Sequence, residues 1–469
     1  MFTNTICGIP DIDIYLLPYL DIVTISNLIS ISKDYNIIAN TDFYKGLLLL
    51  KQLHPDILVK DIIDYACKYN FIILIKWINA SDNKFVYSKK AINMAAGNAH
   101  IEILDWFAFN KEFIYDNNAI NFAAENGFVE ILDWFEKSRY TFKYDINAIN
   151  LAAKNGHLQI LYWFDKSAYT FKYDSRAINW AAKNGHLEIL DWFDKSAYEF
   201  KYSYDSIIWA AENEHVHILD WFDKSKYDIK YWWLRVMNIA SEKGHVALLE
   251  WLCLISDVFE VSDNIYRAIN LASEFGNVNI LTWYDNSKYD FKYDYYTTSL
   301  ALKNGNMNIL EWFDKSKHEL KYYNNIINNA ANNGYVHVLE WFSASKYDFN
   351  YTSAAIDLAS KYGHVDVLEW FDNSRHEFLY TSNAIDYASK MGHRHILKWF
   401  DKSGYEFLYT SNAIDLAAEN NRINILRWFY KSGKEFKYTE NALRLAKKNN
   451  NTRVLNWFRR NININDTKS

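Results

Sequence analysis

The chain has 469 residues, of which 50% are hydrophobic and 23% are charged, so it can bury a large core and is not a disordered polymer. Its net charge is −6, and acidic and basic residues are mixed along its length, which argues against nucleic-acid and membrane-surface partners. Three distant cysteines without a CxxC pair argue against a disulfide framework or a zinc site and favour a reducing compartment, the cytoplasm.

The first fifty residues differ from the rest of the chain. The N-terminus lacks a basic region followed by an apolar stretch, so no signal peptide is predicted, and no apolar run approaches the roughly 20 residues of a spanning helix. Residues 9–48 contain two of the three prolines and no tryptophan. Apolar residues at helical spacing predict two or three short helices there, built on Ile14, Leu16, Leu17 and Leu20 and then on Ile25, Leu28, Ile29 and Ile31.

This segment resembles an F-box. Ile9-Pro10 correspond to its opening Leu-Pro, Leu20-Asp21 to its Leu-Asp, and Ile31-Ser32-Lys33 to its Val-Ser-Lys. The resemblance implies that the segment docks onto the Skp-type adaptor of a cullin–RING ubiquitin ligase while the attached repeats select the substrate. The docking surface implied in this way consists of Pro10, Leu16, Leu17, Leu20, Leu28 and Ile31. The alternative is that these residues only form a helical cap over the first repeat.

A tryptophan recurs in one register through the rest of the chain. Its spacing is 29 residues in most copies, which predicts about fourteen repeats. We therefore divide the chain into an F-box-like segment (1–55), a repeat array (56–460) and a frayed tail (461–469). The register tryptophans are Trp77, Trp106, Trp134, Trp163, Trp192, Trp221, Trp251, Trp283, Trp312, Trp341, Trp370, Trp399, Trp428 and Trp457.

Each repeat predicts two short helices and a connector. In residues 174–202, Asp174 or Ser175 can cap a first helix, which carries an Ala-Ala pair and ends near Gly185. A second helix follows with apolar residues on most of its surface, so it must lie between similar helices. The alternating YEFKY segment predicts an extended connector with Phe200 pointing inward. Such helical hairpins stack into a solenoid.

The repeat resembles the ankyrin repeat. The stretch NAINLAAKNGHLQIL (147–161) matches the Ala-Ala-x-x-Gly-His-Leu part of the ankyrin signature, but Asn-Ala stands in place of Thr-Pro, as at Asn383-Ala384. The short, Trp-bearing form is similar to ankyrin-like proteins of giant DNA viruses that infect amoebae, and it implies trimmed β-hairpin fingers. The expected fold is an all-α, ankyrin-like helical-hairpin solenoid with a small N-terminal helical, F-box-like cap.

The middle of the array is irregular. The tryptophan spacing lengthens to 30 and then 32 residues at 231–266, where the chain also contains the off-register pair Trp232 and Trp233. Because off-register tryptophans are not required by the repeat, we predict that these two contact a partner. The alternative for each is packing within the core.

One position of the first helix carries Asn in early repeats and Asp in late ones. By analogy with ankyrins, this helix lines a concave face, which predicts a groove that is amide-rich early and acidic late and that suits a basic partner segment. The alternative is an ordinary solvated surface. The predicted groove residues are Asn150, Asn179, Asp357, Asp386 and Asp415.

The other recurring polar and aromatic residues predict structural roles. The histidine after the helix turn is predicted to make a turn-bridging hydrogen bond, and the register Trp and the YxFxY aromatics are predicted to pack in the core. The sequence contains no P-loop, GxGxxG, HExxH, GxSxG or EF-hand pattern. We expect a monomeric, non-enzymatic protein without metal or cofactor that binds proteins in the cytoplasm (of the host cell, if the chain is viral).

Overall fold

A computed structural model describes residues 61–80, 85–227 and 229–462 of the chain, and these residues form a helical repeat array. The proposed F-box-like residues lie outside the described residues, as does most of the predicted tail. Within the described ranges there are 28 α-helices and no β-strand, which confirms the all-α solenoid. We number the repeats 1 to 14 by their register tryptophans, from Trp77 to Trp457.

The chain divides into two compact units between Trp232 and Trp233, inside the irregular segment 231–266. The first unit contains repeats 1–6. Its first helices are Ile62–Lys68, Lys89–Ala96, Asn118–Glu125, Ile146–Lys154, Ser175–Lys183 and Asp205–Glu212, and its second helices are Ile72–Ala80, Ile101–Asn110, Val129–Lys137, Leu158–Lys166, Leu187–Lys195 and Val216–Lys224. A 3-10 turn, Lys230–Trp232, closes this unit.

The second unit contains repeats 7–14. Its first helices are Trp233–Lys243, Ser262–Phe275, Tyr295–Lys303, Ile326–Asn332, Ala354–Tyr362, Asn383–Met391, Asn412–Glu419 and Glu440–Lys448. Its second helices are Val246–Ile255, Val278–Asn286, Met307–Lys315, Val336–Ala344, Val365–Asn373, Arg394–Lys402, Ile423–Lys431 and Thr452–Asn461, and a 3-10 turn, Val258–Glu260, lies in the irregular segment.

Local sequence sets the ends of these helices. In repeat 5 the side chain of Asp174 accepts a hydrogen bond from the backbone N–H of Arg176, so Asp174 is the N-cap. The turn between the helices passes through Gly185, whose φ is +77°. A side chain is strained in this left-handed conformation, and an added Cβ would also lie 3.0 Å from the ring of His215. Glycine is therefore favoured by both conformation and close packing.

The core of each unit lies between the stacked hairpins. The Ala-Ala pair of the first helix is fully buried (Ala181 and Ala182 in repeat 5), and so are the Ile-Leu pair and the phenylalanine of the second helix. Small residues let neighbouring first helices approach closely, while the second helix fills the space with larger side chains. This packing leaves one side of every second helix open to solvent.

Candidate functional site: grooves between second helices

The predicted groove residues Asn150 and Asn179 are buried instead of solvent-facing. Asn150 has no exposed surface. Its Nδ2 donates to Oδ1 of Asp174 over 2.8 Å, and its Oδ1 accepts from the backbone N–H of Asp174 over 3.2 Å. Asn179 pairs in the same way with Ser203. We call this pair, which joins a first helix to the start of the next repeat, the inter-repeat clasp.

Asp357, Asp386 and Asp415 form the same clasp with threonine as the partner. The backbone N–H of Thr410 donates to Oδ1 of Asp386 over 3.0 Å, and the Thr410 hydroxyl donates to Oδ2 over 2.6 Å. Asp386 is only 2% exposed, so it cannot line an open groove. The predicted partner-binding role of the five residues is therefore wrong. The analogy with a concave face failed because each side chain reaches sideways to the next repeat.

The recurring histidine position also links neighbouring repeats. Nε2 of His364 lies 3.1 Å from the backbone carbonyl oxygen of Asn332 in the preceding repeat, which confirms the predicted turn-bridging hydrogen bond. Other donors can replace it, since Arg422 makes the equivalent bond through Nε over 3.1 Å. Burial lowers the pKa of His157 and His393, which favours the neutral ring at neutral pH.

The aromatic residues of the connector and the register tryptophan pack together, as predicted. The Phe171 ring stacks on Trp192 and Tyr198, with centroid distances of 5.3 and 4.1 Å. The hydroxyl of Tyr173 donates to the backbone carbonyl of Glu199 in the next connector. Aromatic packing of this kind ties each connector to its neighbours.

The off-register tryptophans take different positions. Trp233 is 5% exposed and packs edge-on against Trp251 at 5.1 Å, which is the packing of the core alternative, and its contact with a partner stays a prediction. Trp232 is half-buried and stacks on the exposed Tyr204 at 5.4 Å, so its contact with a partner stays a prediction.

The inter-repeat clasp is missing from the repeat that contains Tyr204. Ile208 stands at the clasp position there, and an amide or carboxylate clasp is therefore impossible.

The exposed sides of adjacent second helices enclose a groove, which no sequence pattern had indicated. Between repeats 4 and 5 it has a volume of about 600 Å³ and is lined by Tyr162, Asp165, Glu188, Asp191, Trp192 and Lys195. We call it the acidic groove. Its tryptophan belongs to the register set, so neighbouring repeats within one unit share this backbone framework.

Equivalent positions create grooves of different chemistry in the second unit. The neutral groove, between repeats 7 and 8, has a volume of about 620 Å³ and is lined mainly by uncharged residues, among them Cys253, Leu254, Asn279, Thr282 and Trp283, together with Lys288. The basic groove, between repeats 13 and 14, has a volume of about 710 Å³ and is lined mainly by Arg427, Tyr430, Lys431, Arg453, Trp457 and Arg460. An alignment of the fourteen repeats around their tryptophans would have shown this variation.

The described residues contain neither a candidate metal cluster nor a membrane-spanning helix. These residues contain no group of three or more His, Cys, Asp or Glu side chains placed to hold a metal ion. None of the helices within the described ranges is both long and apolar enough to cross a bilayer. In comparisons with known proteins, no protein-family model matches the chain and no curated protein is significantly similar to it.

Proposed function

We propose that the chain is a non-enzymatic protein-recognition scaffold that recruits a substrate to a host cullin–RING ubiquitin ligase. One observation supports the proposed role in protein recognition. Polar residues that recur in the repeats, such as Asn150 and His364, bond within the array, whereas the exposed grooves change from acidic to neutral to basic. Constant internal bonding with a variable exposed surface is the arrangement that a binding solenoid needs.

The ligase part of the proposal rests on the resemblance of residues 9–48 to an F-box. In this proposal the docking surface around Leu28 and Ile31 holds the Skp-type adaptor, and the ankyrin-like repeats hold the substrate in the cytoplasm of the host cell. The second candidate is a scaffold or sequestering protein of the same fold with no ubiquitin link. The groove variation supports both candidates equally, so the N-terminal segment is what separates them.

A binding experiment separates the two candidates. Purified full-length chain, the variant Leu28→Glu/Ile31→Glu and a chain lacking residues 1–55 are each titrated with a purified amoebal Skp-type adaptor. We expect the full-length chain to bind and the double variant to bind at least about tenfold more weakly, because buried apolar contacts at an interface are replaced by charges. The control is Asn27→Glu, which adds a charge at a position outside the implied docking surface and should leave the affinity unchanged.

Two outcomes would overturn the ligase proposal. One is a full-length chain that does not bind the adaptor, and the other is an affinity that the double variant and the deletion leave unchanged. Either outcome leaves the scaffold candidate in place, because that candidate does not use residues 1–55.

A further inference from the structure

The basic groove at the end of the array concentrates positive charge on one surface. Arg427 and Lys431 extend from the second helix of repeat 13, and Arg453 and Arg460 extend from that of repeat 14. All four are exposed, and none forms an ion pair with another residue in the described part of the chain. Among the residues that the structure describes, no acidic side chain lines this groove. Four unpaired cations around one groove create a site for an anion.

Two of the four basic positions are not basic in the first unit. Tyr162 stands where Arg427 stands, Glu188 where Arg453 stands, and Asp191 where Asn456 stands. The backbone framework is the same in both repeat pairs, so the repeat does not demand positive charge at these positions. Arg427 and Arg453 are therefore specific to this groove, whereas Lys431 and Arg460 stand where Lys166 and Lys195 stand in the first unit.

The tryptophan of the basic groove adds an unpaired donor. In repeats 3, 4 and 6 the indole N–H donates to the aspartate that precedes the register tryptophan of the previous repeat, as Trp163 does to Asp133 over 2.7 Å. Arg427 occupies that position for Trp457 and cannot accept a hydrogen bond. Trp457 is 7% exposed and lines the groove, and its indole N–H has no acceptor within the described ranges. An indole N–H that lines a groove without a protein acceptor can donate to an oxygen of a bound molecule, an anionic oxygen included.

The positive surface is short. Residues 393–462 contain fourteen Lys or Arg and six Asp or Glu, a net charge of +8 in a chain of net charge −6. Along the second helices, the positive surface begins at repeat 12 with Lys398 and Lys402. In the preceding repeat, the exposed side of the second helix carries Glu369 and Asp372 instead. Three helices at roughly 10 Å spacing span about 20 Å, the length of about six extended residues.

We propose that the basic groove binds a short acidic segment of a partner protein, whose carboxylate or phosphate oxygens pair with Arg427, Arg453 and Arg460 and accept the N–H of Trp457. This inference rests on the proposed recognition function and names the chemistry of its partner. A long polyanion such as RNA fits less well, because the acidic side chains Glu369 and Asp372 lie at the end of the positive surface. The Trp457 ring is nearly buried and meets Tyr430 edge-on at 5.6 Å, so its face is closed to base stacking.

The test measures binding of fluorescent hexapeptides to the full chain by anisotropy. The probes are hexaglutamate, a hexapeptide with two phosphoserines among glycines, and hexaglutamine; a labelled twelve-nucleotide RNA is the competing macromolecule. We expect the two anionic peptides to bind and hexaglutamine not to bind, with affinity falling as salt rises. The ratio of the two anionic affinities identifies carboxylate or phosphate as the preferred group. Arg427→Gln/Arg453→Gln should weaken binding about tenfold.

A matched control separates the groove from general charge. Lys447→Gln/Lys448→Gln removes the same charge from the first helix of repeat 14 and should change the affinity less than twofold. Trp457→Phe keeps the ring, removes the N–H donor and should weaken binding severalfold, with far-UV circular dichroism confirming the fold. The inference is overturned if the groove and control variants lose affinity equally, if neither anionic peptide binds, or if the RNA binds more tightly than both. Adaptor binding through residues 1–55 is measured separately, so failure of the groove and failure of the ligase link are distinguishable.

Discussion

Repeats 3–5 of the first unit and repeats 11–13 of the second unit fasten neighbouring hairpins with different chemistry at the same place. In the first set an amide meets a carboxylate or a hydroxyl, as Asn150 meets Asp174. In the second set a carboxylate meets a threonine, as Asp386 meets Thr410. Two carboxylates never face each other among the described clasps. The array therefore preserves a complementary set of donors and acceptors and not a residue type.

The described clasps follow this rule in both units. Each pairs a side chain of the first helix with the residue that begins the next repeat. In the first unit they are Asp64–Ser88, Asn93–Asp116, Asn121–Asp145, Asn150–Asp174 and Asn179–Ser203, and in the second they are Asn328–Thr352, Asp357–Thr381, Asp386–Thr410 and Asp415–Thr439.

The largest effect is expected from Asn150→Asp, which breaks the rule in the first unit. It places a buried carboxylate against Asp174 and removes the donor that now bridges them over 2.8 Å. An uncompensated buried charge should destabilise this clasp by about 3 kcal/mol. Urea unfolding gives the loss for the whole chain, and hydrogen exchange of peptides spanning 145–183 locates it.

The rescue variant is Asn150→Asp/Asp174→Thr, which installs the clasp of the second unit in the first. It should recover most of the lost stability, because the threonine hydroxyl and backbone N–H can both donate to the new carboxylate. If the double variant is no more stable than Asn150→Asp alone, complementarity does not govern the clasp.

A smaller effect is expected from Asp386→Ala in the second unit. The substitution leaves the hydroxyl and N–H of Thr410 without their acceptors, which should cost about 2 kcal/mol. Asp386→Asn should cost less than about 1 kcal/mol, because Asn328 already forms an amide clasp with Thr352 over 3.1 Å. Equal losses in the two variants would show that the charge matters and the hydrogen-bond pattern does not. Thermal and urea unfolding of both variants measure the difference.

The sequence predicted the period, the helical hairpin and the packing of the recurring aromatics, because these depend on apolar spacing that one repeat displays completely. It did not predict the clasp. Asn150 and Asp174 are 24 residues apart, and their contact exists only when two hairpins stack. A polar residue on a helix therefore looked solvated when it was buried and paired.

The basic groove was missed for a related reason. The surplus of positive charge is visible in the sequence, since residues 441–462 contain six Lys or Arg and no Asp or Glu, but its convergence on one groove is not. Helical spacing brings Arg427 and Lys431 to one side of a helix, and stacking places Arg453 and Arg460 beside them. The expectation that charge is evenly mixed is wrong for the last repeats, both in the sequence and on this surface.

The two kinds of clasp also differ in their protonation. Burial raises the pKa of Asp357 and Asp386, and the hydrogen bonds from their threonine partners offset only part of this effect. For Asp174, burial acts in the same direction, but the bonds from the Arg176 side chain and backbone outweigh it and leave the pKa lowered. A carboxyl whose pKa is raised on folding stabilises the fold fully below the unfolded pKa, and this contribution is lost as the pH rises through the folded pKa. For a lowered pKa the contribution is present above the unfolded pKa and is lost as the pH falls.

The smallest effect is therefore a difference in the sign of the pH dependence. We compare the unfolding free energy of the wild type with that of Asp357→Asn/Asp386→Asn and of Asp174→Asn across the acid-to-neutral range. Relative to the first variant, the wild type should lose stability as the pH rises above about 4, the unfolded pKa of aspartate. Relative to Asp174→Asn, the wild type should lose stability as the pH falls below the unfolded pKa of aspartate. If the two differences in unfolding free energy change with pH in the same direction, the distinction between the two clasps is contradicted, because only opposite shifts in pKa produce opposite slopes.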